Sequence, residues 1–138
     1  MRVSIGLILI SLFTLSVSAE QIETTIISQT LVKSTQSWNG SQLPSYPEGQ
    51  PEVTILKITI PAGVTLPLHQ HPYINAGVLT KGELTVVSKA GKRLFMTAGD
   101  PIVELVNNWH FGENSGNVPA EIIVFYAGIK GQPLTIKY

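Results

Sequence analysis

The sequence predicts an all-β domain, a sandwich or barrel of short strands. Runs rich in Ile, Val, Thr and Leu recur along the chain, and turn signals built on Gly, Pro and Asn separate them about every six to twelve residues. Beyond the first twenty residues no segment shows a helical period. At 138 residues the chain is long enough for one domain and too short for two.

The elements follow in order. Arg2 supplies a positive start, Val3 to Val17 is largely apolar, and Val17-Ser18-Ala19 places small residues at a cleavage position. Residues 1–19 therefore read as a signal peptide, with Glu20-Gln21 opening the mature chain. The apolar run of about fifteen residues falls short of the roughly 20 a spanning helix needs, so no stable membrane insertion is expected after cleavage. Residues 20–51 form an N-terminal strand (Ile22 to Lys33) and then a loop containing Trp38-Asn39-Gly40, Pro44, Pro47, Gly49 and Pro51. A loop of that length is either a flap or an arm packed on the domain.

Residues 52–138 carry the regular pattern. Val53, Ile55, Ile58 and Ile60 mark a strand closed by Pro61-Ala62-Gly63. Strands follow at Leu66–His71, Asn75–Thr80, Glu83–Lys89 and Arg93–Thr97, separated by turns at Lys81-Gly82 and Ala90-Gly91-Lys92. Ala98-Gly99-Asp100-Pro101 precedes Ile102–Val106, and Trp109–Glu113, Glu121–Ala127 and Leu134–Lys137 complete the set.

Composition removes several classes of function. Hydrophobic content of 43% is ample for a packed core. Zero net charge argues against a nucleic-acid partner. The absence of cysteine excludes disulfides, thiolate catalysis and Cys-based metal sites. An exported chain without disulfides must be held by its core or by a metal.

The three histidines of the chain are His69, His71 and His110. Residues two apart on a strand face the same side, so His69 and His71 address one space. A third imidazole from a distant strand would complete a face of three neutral nitrogen ligands, with open positions for water or substrate. A single His-x-His pair is as often incidental. Here all three histidines fall into one arrangement.

Glycine punctuation extends the arrangement into a resemblance. Gly63, five residues, His69-Gln70-His71, three residues, Asn75, six residues and Gly82 resembles the first motif of the cupin superfamily, and Gly99, His110 and Asn114 resemble the second. The resemblance implies a double-stranded β-helix, or jelly-roll barrel, with one divalent metal ion (Fe, Mn, Ni, Zn or Cu) held by His69, His71 and His110. It also implies a homodimer, for which the extra N-terminal strand is suited by exchange between subunits. Asn75 stands where many members carry a glutamate ligand, so an amide is a possible fourth contact. Leu105 and Asn107 stand where a proline and a glycine are expected.

Glu104 is the candidate catalytic residue. It lies in an otherwise apolar strand six residues before His110. The turn at Asn107-Asn108 breaks parity, so alternation leaves it either outward and solvated or inward near the metal. Inward, it is a fourth ligand, an acceptor for a histidine N–H, or a general base. Tyr73, Trp109, Phe111 and Tyr126 suit either a pocket or the core and rim, and Trp38 and Tyr46 suit either the barrel mouth or its outside.

Two functions fit. One is an exported metalloenzyme, periplasmic or secreted, acting on a small molecule as a dioxygenase, isomerase or lyase. The other is a non-catalytic module that binds or senses a metal or small ligand. A third outcome keeps the fold and holds no metal.

Overall fold

A computed structural model describes residues 24–138. The segment read as a signal peptide lies outside the described residues, as do Glu20 to Glu23.

The described residues form nine strands: β1 (Pro51–Ile60), β2 (His69–Gln70), β3 (Asn75–Lys81), β4 (Glu83–Ser88), β5 (Arg93–Thr97), β6 (Pro101–Val103), β7 (His110–Glu113), β8 (Ala120–Ile129) and β9 (Ile136–Lys137). They form two antiparallel sheets, ordered β1-β8-β3-β6 and β5-β4-β7-β2-β9. This is the jelly-roll arrangement, and most strands from residue 52 onward fall near the apolar runs. The Leu66–His71 run, however, forms a strand only at His69–Gln70, and the Ile102–Val106 run only at Pro101–Val103, which leaves Glu104 just beyond β6.

Each sheet contributes one face to the interior. Along the ten-pair ladder of β1 and β8, Ile58 and Ile60 lie inward with Ile122, Val124 and Tyr126. Leu84, Val86 and Met96 meet them from the second sheet. Burying each such aliphatic side chain contributes about 1.5–3 kcal/mol. The odd positions Val53, Ile55, Ile123 and Phe125 face outward and are 42–65% exposed.

Of the N-terminal strand expected over Ile22 to Lys33, the described part, residues 24–33, forms no strand. Residues 24–33 are exposed and belong to neither sheet, with Ile26 and Ile27 about nine-tenths exposed. Ile, Thr and Val favour a pleated surface, but a strand exists only through a partner ladder. Within one chain this segment meets none. Its Leu31 and Val32 instead border a shallow groove with Ile55, Ile123 and Phe125 on the outer face of the first sheet.

The following loop is tied to the barrel near its start. A tight turn from Ser37 to Ser41 hangs on β6 and the residue after it. Trp38 N–H donates to Val103 O at 2.9 Å, and Ser37 Oγ donates to Glu104 O at 2.8 Å. Trp38 packs against the core, while Tyr46 is 78% exposed.

Two turn positions carry backbone demands. Gly82 (φ +73°) sits between β3 and β4, and a Cβ there would lie 2.7 Å from Pro119 O. Asn107, at the position of the expected glycine, takes φ +53°. Asparagine tolerates this left-handed region at little cost, which is why the turn survives without glycine.

Gly82→Ala is expected to destabilise the domain by more than the roughly 1–2 kcal/mol of left-handed strain alone, because the added carbon also meets backbone. Gly91→Ala, with φ +88° and open space around its Cβ position, should lose only the conformational share. Urea unfolding of the two variants reads the difference; equal losses would reject the role given to the Pro119 contact.

Candidate metal centre

The histidines come from both ends of the chain's pairing pattern and meet inside the barrel. His69 on β2 stands opposite His110 on β7. His71 follows β2 and bridges to Val106. The parity argument for His69 and His71 holds, since both rings line one cavity with His110. Their ring centroids lie 4.6–5.1 Å apart, and one ligand nitrogen from each falls within 4.8 Å of the others.

The backbone decides which nitrogen is offered. His69 Nδ1 donates to Pro67 O at 2.7 Å, His71 Nδ1 to Leu134 O at 2.9 Å, and His110 Nδ1 to Asn108 O at 2.8 Å. A carbonyl can only accept, so each Nδ1 carries the proton and each Nε2 keeps a free lone pair. Burial lowers the pKa of all three, and takes His71 to about 4 against the opposing pull of the Leu134 carbonyl. At neutral pH the site therefore holds three neutral imidazoles with aimed lone pairs, the form a cation requires.

Glu104 points inward. It is 8% exposed, lines the cavity, and places Oε2 at 3.5 Å from His110 Nε2. This is not an ion pair, because the imidazole is neutral and its Nε2 has no proton to give. Two acceptors face one another. His110 Nε2 is buried without a hydrogen-bond partner, and a proton or a cation between the two groups is what would reconcile them. Burial pushes the Glu104 carboxyl up to about 7, only partly offset by the Leu105 N–H and by His69. Tyr126, edge-on to the His71 ring, has its phenol pushed up to about 12 by burial and by Glu104.

Asn75 is fully buried on β3, but it is not among the residues lining this cavity. Its Nδ2 donates to Tyr73 O, and its Oδ1 finds no donor. The two positions are neighbours in the backbone, where Glu104 N–H donates to Asn75 O at 3.0 Å. A carboxylate absent from β3 is thus present on the adjoining chain segment. Asn114 does what a turn asparagine does, donating to Ile60 O and Val118 O. Trp109 packs edge-on to Tyr138 and lies outside the cavity lining.

The cavity has a volume of about 230 Å³. Leu56, Ile58, Leu84, Val86, Ile122 and Val124 give it apolar walls. Thr135 and Lys137 also line it, and sequence reasoning passed over both. Thr135 immediately precedes β9 and Lys137 lies on it, and no local pattern announces the register of β9 against β2.

A family model described as the Cupin domain matches residues 56–126. No curated protein matches the chain. Among solved structures, oxalate oxidase in complex with the substrate analogue glycolate is similar at 26% identity and a TM-score of 0.52. That match covers 62% of this chain and 45% of the oxidase, so the chain spans under half the oxidase's length. The DMSP lyase DddQ from Ruegeria pomeroyi is 18% identical, with a TM-score of 0.54 over 71% of this chain and 46% of the lyase. An uncharacterized protein with a double-stranded β-helix domain from Klebsiella pneumoniae is 20% identical, with a TM-score of 0.53 over 66% of this chain and 89% of that one. The last two likenesses are of fold.

The raised carboxyl sets a pH dependence in chelator-treated protein. A folded-state value of about 7 against 4.5 means that the folded chain holds this proton more tightly. The resulting stability is complete below about 4.5 and is lost as pH rises through 7. His71 acts in the opposite sense, its contribution being lost as pH falls from 6.5 toward 4. Comparing Glu104→Gln with wild type cancels the histidine part. The variant should be the more stable by roughly 3 kcal/mol at pH 8 and nearly equal at pH 4.5. Urea titrations at the two pH values measure this, and a constant difference would show that Glu104 does not titrate as described.

Proposed function

Because the chain belongs to the cupin domain family, whose model spans just over half of it, we propose that it is a metal-dependent enzyme acting on a small molecule, with His69, His71 and His110 as ligands of one divalent ion. The observation that carries this reading is the buried, partnerless Nε2 of His110, its lone pair opposed to the Glu104 carboxylate. Three imidazoles beside one carboxylate suit Fe, Mn, Ni, Zn or Cu. Such an ion, when bound, supplies Lewis acidity.

The chain's own groups do the rest. A cation at the Nε2 atoms favours the ionised form of Glu104 and so makes its Oε2 a proton acceptor at neutral pH. Among the described residues Glu104 is the only carboxylate lining the cavity. It takes a proton from the substrate and returns it, which favours the isomerase or lyase type over the dioxygenase type. The apolar walls exclude bulk water and strengthen these polar contacts. Asn75, its amide directed at Tyr73 O, is given no part.

A non-catalytic binding module is the second reading. It is favoured by the wall from β1 and β8, where Leu56, Ile58, Ile60, Ile122 and Val124 offer no polar group to a substrate.

The remaining assignments concern where and how the chain works. Residues 1–19 direct export to the periplasm or beyond, as their charge and apolar pattern support. The mature chain is a homodimer. The exposed outer face of Val53, Ile55, Ile123 and Phe125, together with the exposed Ile26 and Ile27, supports a second copy as its cover.

Elemental analysis of protein isolated from its own compartment should find about one divalent ion per chain, and His71→Ala should lose most of it. A wild type without metal, or a variant with as much, rejects the metal centre. With the ion retained, Glu104→Gln should lower turnover by about 10²–10⁴-fold. Oxygen uptake coupled to turnover would move the assignment to a dioxygenase. A small molecule retained in native mass spectrometry, with no turnover, would move it to the binding module.

The same preparation tests export and assembly. Its intact mass should be that of a chain beginning at Glu20, and light scattering should give twice that mass. A retained leader or a monomer mass would overturn the corresponding assignment.

A further inference from the structure

One cationic residue bordering the cavity is used neither by the fold nor by the metal centre. Lys137 lies on β9, and the pairing of β9 with β2 sets it opposite His69. His69 stands opposite His110, and His110 opposite Ser88. Opposed residues of an antiparallel ladder project to the same face, with Cβ atoms about 4.5–5.5 Å apart. Lys137 is therefore the next member of the row that carries two of the three histidines, and it borders the cavity at its exposed end. Among the described residues the ion pairs are Lys57–Glu121 and Arg93–Glu113, and Glu104 faces the neutral His110, so no carboxylate is paired with Lys137.

We propose that Lys137 is the anion-recognition residue of this cavity, and that the ligand is a small monocarboxylate with a compact hydrocarbon body. The proposal rests on the three-histidine metal reading. With a divalent ion in place, the site carries that ion and the Lys137 ammonium against the single carboxylate of Glu104, so its balance is positive and favours an anion. The ligand carboxylate lies between Lys137 and the histidine centre. Its body lies against Leu56, Ile58, Leu84, Val86, Ile122 and Val124, which line the cavity. A neutral ligand forgoes the charged contact. A dianion would press its second charge on that apolar wall, which is costly without a partner. The volume of about 230 Å³ lies below the roughly 300–1,000 Å³ of sites for drug-sized ligands, which limits the body to a few carbons.

The test uses the full mature chain loaded with cobalt(II), whose visible spectrum reports ligands entering the metal centre. Butanoate, butanamide and succinate are titrated as probes. Butanoate should bind at least about tenfold more tightly than either of the others. Lys137→Met should weaken butanoate about tenfold and leave both cobalt stoichiometry and butanamide binding unchanged, while Lys137→Arg retains most of the affinity. Equal affinity for butanoate and butanamide, or undiminished butanoate binding in Lys137→Met, overturns the assignment. A chain that takes up no cobalt overturns the three-histidine reading beneath it. Cobalt uptake without a carboxylate preference overturns the role of Lys137 alone.

Discussion

The three Nδ1–H hydrogen bonds to backbone carbonyls are the constraint on which the site depends. Without them each imidazole could present either nitrogen, and three rings crowded near 5 Å would have no reason to offer three lone pairs to one point. The acceptors Pro67 O, Asn108 O and Leu134 O sit in separate parts of the chain. Leu134 is 63 residues from His71. Fixing that tautomer therefore requires the short β9 to reach its place beside β2, so closure of the barrel and preparation of the site are one event. Ile60, Leu84, Val86, Ile122 and Val124 belong both to the core that holds the barrel shut and to the cavity lining.

Against that frame of neutral nitrogens, Glu104 is the group under stress. A buried carboxylate with one N–H donor and an opposed lone pair should be costly, and its raised pKa is the measure of that cost. Three contacts hold it there nevertheless. Ser37 Oγ anchors its carbonyl, its N–H is tied to Asn75 O, and Leu105 N–H reaches its carboxylate at 3.2 Å. A residue so firmly held in an unfavourable electrostatic position is a common mark of a functional site. The Ser37 turn acts from behind, by backing the segment that presents this carboxylate.

Much of this was legible in the sequence. The strands from residue 52 onward followed from turn residues and alternation, and the convergence of the histidines followed from their spacing and the motif glycines. What was not legible depends on partners distant in sequence. Ile22 to Lys33 has the composition of a strand, yet strand formation is decided by the ladder it meets. The inward direction of Glu104 could not be read because Asn107, in left-handed conformation, resets the parity between it and His110. Lys137 was invisible for the same kind of reason. Only the pairing of a two-residue strand with β2 brings it beside His69.

The two faces of the β1–β8 ladder explain why one reading of these strands was easy and another was not. In β1 the apolar positions switch face partway along: Val53 and Ile55 point out, whereas Ile58 and Ile60 point in. In β8 both parities are apolar at once, with Ile122 and Val124 inward and Ile123 and Phe125 outward. A sheet with one face in water alternates apolar and polar, and one covered on both faces does not. The inner apolar set is accounted for by the cavity wall. The outer set, in the register Ile55 to Phe125 to Ala76, is only bordered by Leu31 and Val32 of the arm. Since the same backbone carries both sets, a change in packing on the outer face is felt by the cavity wall. The cavity wall and the outer apolar face are therefore two sides of a single pair of strands.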